Sequence, residues 1–172
     1  MSESYDLGIV EVITAGAVGE PGERVFYVQA RARGLQVTIL TEKEQVRVLC
    51  DATVQLLDRL PGEDGGPPPV EADLALASPL DPVWRVGEMS IEHDALTDRI
   101  VVTLIELVDD EEGDLPGRAR FEATRAQARA LAEHGLEQVS AGRPRCQLCG
   151  YPMGPGGLHT CPAMNGHRSY NG

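Results

Sequence analysis

The residues with the clearest capacity for chemistry lie near the end of the chain. Cys146, Cys149, His159 and Cys161 are spaced C-x2-C-x9-H-x-C. Thiolate and imidazole are the donors that zinc takes in a tetrahedron, and a C-x-x-C pair offers two sulfurs from one tight turn. Gly150, directly after the pair, lets the chain fold back so that backbone amides approach those sulfurs. His159 and Cys161 place two further donors on one short extended piece, and the Pro- and Gly-rich stretch 151–158 can close the loop between the halves. His167 is a rival for the fourth position. Four protein ligands leave no place for a reactive water, so the expected site is structural Zn2+. Its binding would fold a tail that has too few apolar residues to fold alone.

Other residues carry weaker signals. Cys50 lies on the apolar stripe of a predicted helix and reads as a buried thiol. His93 stands beside Asp94 in a predicted turn, where the bland reading is a surface turn and the sharper one a general base. The stretch Gly16–Glu23 is glycine-rich, but no lysine follows and no helix opens after it, so a hairpin turn explains it without a phosphate. Five acids in the six positions 109–114 lack the spacing of a calcium loop and read as a solvated hairpin loop. No nucleophile–base pair or nucleophile elbow is present.

The charge is uneven. The chain of 172 residues has a formal charge of -12, yet residues 142–172 contain Arg143, Arg145 and Arg168 and no acid or lysine. An acidic body repels phosphate backbones, so nucleic acid is disfavoured as a partner. No apolar run reaches the roughly 20 residues that cross a bilayer. The acidic start of the chain lacks the pattern of a secretory signal. The expected location is therefore cytoplasmic, where clustered cysteines read as metal ligands rather than disulfides.

These residues need elements to position them. Residues 6–17 read as one strand; residues 24–33 alternate, with Phe26, Val28, Ala30 and Ala32 on a buried face and Tyr27, Gln29 and Arg31 on an open one. Pro21-Gly22 suits the centre of a type II turn between them. Residues 36–40 give a third strand of an antiparallel meander. Thr41 and Glu44 read as a capping box for a helix running to about residue 60. Residues 61–82, rich in Pro and Gly, read as a linker. Further strands are expected over 83–92, 99–107 and 118–123. A second box, Thr124 with Gln127, opens a helix to about residue 140. Gln45/Arg47 and Gln127/Arg129 repeat at an offset of 82, which suggests two similar halves. The expectation is an α+β domain over residues 1–141, an antiparallel sheet with two helices on one face and a possible ββα-type duplication, followed by a zinc-binding tail over 142–172.

Three blocks carry a family resemblance: the run from Ala15 to Arg24, the run Glu42-Lys43-x-Gln45-Val46, and the tail motifs Gly142-Arg143-Pro144-x-Cys146-x-x-Cys149-Gly150 and Cys161-Pro162-x-x-Asn165-Gly166. Together they resemble the uncharacterised, chiefly actinobacterial family called domain of unknown function 3090. The resemblance implies a zinc-type cysteine tail and nothing about mechanism. The leading expectation is a non-enzymatic zinc-binding protein that engages a protein partner. The alternatives are an enzyme or ligand-binding domain with its site near His93 and Asp94 or the Gly16–Glu23 turn, and a thiol/zinc redox sensor.

Overall fold

The structure is a computed structural model that describes residues 2–108, 115–154, 158–164 and 169–171. The chain falls into two compact units. The first comprises residues 1–19 and 24–140, the second residues 20–23 and 141–172.

The first unit is α+β. Its strands are β1 (Tyr5–Ile9), β2 (Val12–Val18), β3 (Val25–Ala32), β4 (Leu35–Thr41), β5 (Val86–Asp94), β6 (Arg99–Glu106) and β7 (Arg118–Ala123). Its helices are α1 (Lys43–Arg59), the single turn α2 (Glu71–Leu74) and α3 (Arg125–Ser140). The strands form two sheets rather than one, in the orders β1-β7-β6-β5 and β2-β3-β4. All neighbours are antiparallel except β1, which lies parallel to β7.

The single strand expected over 6–17 is two strands in different sheets. Consecutive N–H groups of an extended chain point in opposite directions. The Val10 N–H donates to Glu122 O in one sheet at 2.9 Å, and the Glu11 N–H donates to Arg31 O in the other at 2.9 Å. The chain changes sheets between these two residues. On the far side, Leu40 N–H donates to Trp84 O and Val83 N–H to Thr38 O, so β4 is stitched to the segment entering β5.

The offset seen in the sequence corresponds to a topological repeat. β2-β3-β4-α1 and β5-β6-β7-α3 share the order β-β-β-α. The second capping box forms as expected: Thr124 N–H donates to Gln127 Oε1, and Gln127 N–H to Thr124 Oγ1. The first box is shifted by one residue. The cap is Glu42, not Thr41, and its N–H donates to Gln45 Oε1 at 2.9 Å. Thr41 instead ends β4 and is buried. Each capping glutamine then reaches into the other half. Gln45 Nε2 donates to Val86 O, and Gln127 Nε2 to Val10 O and Glu11 O. The two glutamines thus tie α1 to the start of β5 and α3 to the chain just before β2.

Helices α1 and α3 pack on one another, with Cys50 against Gly135 and Leu57 and Ala128 in one apolar cluster. The main core joins both helices to both sheets through Ile13, Val28, Ile39, Val46, Leu104, Phe121 and Leu131.

Gln29 is not on an open face. Sheet β2-β3-β4 is covered on its second side by residues 74–79, within the stretch read as a linker. Gln29 is 1 % exposed, and Thr14 and Thr38 lie beside it in register across the three strands. The Gln29 amide bonds both main-chain groups of Ala77, at 2.9 Å to its O and 2.8 Å from its N–H. Thr14 Oγ1 donates to Leu74 O at 2.6 Å, and the Leu76 side chain lies on Gly16. A buried polar row of this kind is tolerable because its groups find partners in the overlying backbone. No helix among the described residues is long and apolar enough to cross a membrane.

Candidate metal centre

The second unit is built around the C-x-x-C turn. Cys146 N–H donates to Tyr151 O and Gly150 N–H to Cys146 O, both at 2.9 Å, while Met153 N–H donates to Pro144 O at 2.8 Å. These bonds close a tight hairpin whose reversal falls at Gly150, with φ of 71°. That left-handed conformation costs glycine nothing and strains a residue with a Cβ. The returning chain forms β8 (Leu158–Thr160), paired antiparallel with β9 (Ser169–Asn171), and a 3-10 turn at Pro162–Met164. β8 carries His159, and Cys161 follows it.

The hairpin and β8 bring the four predicted residues together. One ligand atom from each of Cys146, Cys149, His159 and Cys161 lies within 4.8 Å of the others. Cys146 Sγ is 3.8 Å from Cys161 Sγ, and Cys149 Sγ is 3.7 Å from His159 Nε2. A tetrahedron with metal–sulfur bonds of about 2.3 Å and metal–nitrogen bonds of about 2.0 Å has edges of roughly 3.8 Å between sulfurs and 3.5 Å from sulfur to nitrogen. The two observed separations are edges of that size. All four cysteines of the chain are free. His167, the rival ligand, lies outside the described residues.

Electrostatics favour ionised sulfur at one position. Burial opposes ionisation of Cys146, but the N–H groups of Cys149 and Leu148 and the His159 ring outweigh it and bring the thiol down to about 6. Cys149 is shifted upward, chiefly by burial and then by the neighbouring Cys161 and Cys146 sulfurs. Three sulfurs held this close repel one another once ionised, which a divalent cation between them would relieve. Cys146 and Cys161 are buried, and Cys149 is partly exposed. A Cys3His set of this shape could hold a metal ion and could form a zinc site.

The turn Glu20–Glu23 belongs to this unit. Glu23 N–H donates to Glu20 O at 2.9 Å, and Gly22 has φ of 97°, as the expected Pro-Gly type II turn requires. The Arg143 guanidinium lies on Gly22, where an added Cβ would come within 2.3 Å of it. Two motif blocks about 120 residues apart thus meet at one contact, and nothing in their spacing signals it.

Among the other candidates, Cys50 is buried as expected, and His93, Asp94 and Gly16 have partners the sequence did not indicate. His93 does not pair with Asp94. Its Nε2 lies 2.8 Å from Asp98 Oδ1, and the same oxygen accepts bonds from the Arg125 guanidinium. Arg125 also donates to Pro61 O at 2.7 Å. Asp94 instead accepts from Leu96 N–H within its own turn. Gly16 lies beneath Leu76, which fills the space a ligand would need there. Cys50 is fully buried, and burial pushes its thiol up to about 12 with a smaller contribution from Asp51. The acid run 109–114 lies outside the described residues. Sequence reading missed Asp98 and Arg125 as a pair. Arg125 is a buried charge at the start of a helix, and a sequence pattern does not reveal which loop will neutralise it.

No curated protein and no solved structure matches the chain. A family model described as "Protein of unknown function (DUF3090)" matches residues 5–161. The match takes in both sheets, both long helices and all four cysteines, and the chain belongs to that family.

Proposed function

We propose that the protein is a non-enzymatic, cytoplasmic zinc-binding protein that engages a protein partner, with Zn2+ held by Cys146, Cys149, His159 and Cys161. The observation that carries the zinc assignment is the convergence of three sulfurs and one imidazole nitrogen within 4.8 Å, with the Cys146–Cys161 and Cys149–His159 separations the size of tetrahedral edges. The donor set is soft enough for zinc and too poor in oxygen for calcium or magnesium. With four protein ligands the ion has a structural task. Among the described residues the buried apolar cluster around the site consists of Cys146, Met153 and Cys161 with Cys149 packed against it, too little to hold the hairpin and β8 together without the ion.

The partner assignment rests on what the metal hairpin presents. Leu148 and Tyr151 are 53 % and 61 % exposed on either side of Cys149, and the surrounding segment has arginines but no acids. A turn that displays an aliphatic and an aromatic side chain suits a protein contact. Metal analysis of the purified protein tests the first part, with one zinc per chain expected. Recovery of partners by the intact protein and by the Cys146→Ser/Cys149→Ser variant tests the second. Equal recovery would remove the metal-dependent interaction.

A further inference from the structure

Resting on that metal reading, we propose that the site is also a specific oxidation site: a hydroperoxide reacts at Cys149, Cys146 resolves the product as a disulfide, and the metal is released. Among the three sulfurs, Cys149 alone is partly exposed; Cys146 and Cys161 are 2 % and 0 % exposed. An oxidant arriving from solvent therefore meets Cys149 first. Its sulfur, which would be a thiolate as a metal ligand, attacks the O–O bond, giving a sulfenic acid and an alkoxide, or hydroxide when the oxidant is hydrogen peroxide. The Cys146 thiolate then attacks the sulfenic sulfur, forming the S–S bond and expelling hydroxide. Two protons from water or buffer complete an alcohol and a water. Two electrons leave the sulfurs and two are taken by the peroxide bond.

Cys146 is the resolving sulfur for a geometric reason. It shares the hairpin with Cys149, three residues away, and that hairpin has its own backbone bonds, Cys146 N–H to Tyr151 O and Met153 N–H to Pro144 O. Cys161 follows β8, on a different piece of chain from the hairpin. Once Cys149 is oxidised and the metal loses a ligand, the hairpin still has its own backbone bonds to keep Cys146 beside Cys149. Closing the short ring also costs less chain entropy than closing the long one. After oxidation Cys161 and His159 remain as two ligands, too few to retain the ion. Cys50, buried against Gly135, takes no part.

The test uses the purified metal-loaded full chain. It is titrated with hydrogen peroxide, metal release is followed with a chromophoric zinc chelator, and peptides are mapped by mass spectrometry without reduction. About one metal should be released per hydroperoxide consumed. The new disulfide should join Cys146 to Cys149, with Cys161 and Cys50 still open to alkylation after unfolding. Cys50→Ala should leave this stoichiometry unchanged. Metal retained at a large excess of peroxide, or a disulfide that includes Cys161, would overturn the inference while the zinc reading stands. A chain purified without metal that cannot be loaded with zinc would overturn both.

Discussion

The sulfur of Cys50 lies against the backbone of Gly135, so close that a Cβ built on the glycine would be 2.4 Å from it. This contact is at the packing interface of α1 and α3, and the Ala15 Cβ and Val46 Cγ1 close the same spot at 3.5 Å. Gly135→Ala would gain roughly 1 kcal/mol in helix propensity. It would lose about 1–3 kcal/mol to overpacking, because the sulfur is buried and has nowhere to move. A net loss in urea midpoint is expected. Cys50→Ala/Gly135→Ala should recover most of it, since the new methyl takes the place of the missing sulfur. Additive losses in that cycle would show that the contact does not set the helix spacing.

Metal removal should act locally. Each of the four ligands in turn is expected to be needed for binding, and Cys146→Ser should abolish it. Chelation should raise amide exchange across residues 141–154 and leave protection in β6 and β7 near its starting value, because those strands are held by an apolar core. Uniform loss of protection across both would contradict a task confined to the tail.

The pH dependence at Asp98 has a definite sign. Its carboxyl is held below the ordinary carboxylate value, first by the bond from His93 and then by Arg125. A depressed folded pKa contributes stability above the unfolded value, near 3.9, and that contribution is lost as pH falls through the folded value. Asp98→Asn should therefore destabilise the protein at pH 7 and have a smaller effect at pH 3. Urea midpoints of both proteins at the two pH values measure this. An equal difference at both would remove the ion-pair explanation.

The strap over β2-β3-β4 should be the first part of the body to open. From residue 66 to residue 79 no side chain is fully buried, so hydrogen bonds to Thr14, Gln29 and Gln36 and the Arg31–Asp73 ion pair hold it, along with the packing of Leu76 onto Gly16. Gln29→Leu would leave the Ala77 N–H and the Thr38 hydroxyl without their present partners, at a cost of about 1–3 kcal/mol. Limited thermolysin digestion should cut the variant within residues 74–80 faster than the parent. Unchanged cutting would mean that the amide does not hold the strap.

Much of the molecule was legible in short windows of sequence. The spacing of Cys146, Cys149, His159 and Cys161, the glycine at 150, the Pro21-Gly22 turn and the Thr124/Gln127 box depend on neighbours a few residues away, and each forms as that spacing implies. The alternation of β3 correctly placed Phe26, Val28 and Ala30 in the core. It failed at Gln29, because alternation tells which face of a strand is apolar and not what covers the other one. The shift of the first cap from Thr41 to Glu42 has a similar origin. Both residues can begin a helix, and the pairing of Thr41 with Phe26 in the sheet decides between them.

The sequence by itself determined the Cys3His grouping and the α+β composition and suggested the two-part repeat, since all three are written in local spacing and periodicity. Only the tertiary structure decided that the first strand splits between two sheets, that His93 serves Asp98 rather than Asp94, and that residues 74–79 close over Gln29. Each of these joins segments far apart in the chain or chooses between neighbours that are locally equivalent. The choice follows from pairing buried backbone groups and filling the core at once, a condition no single stretch of residues contains.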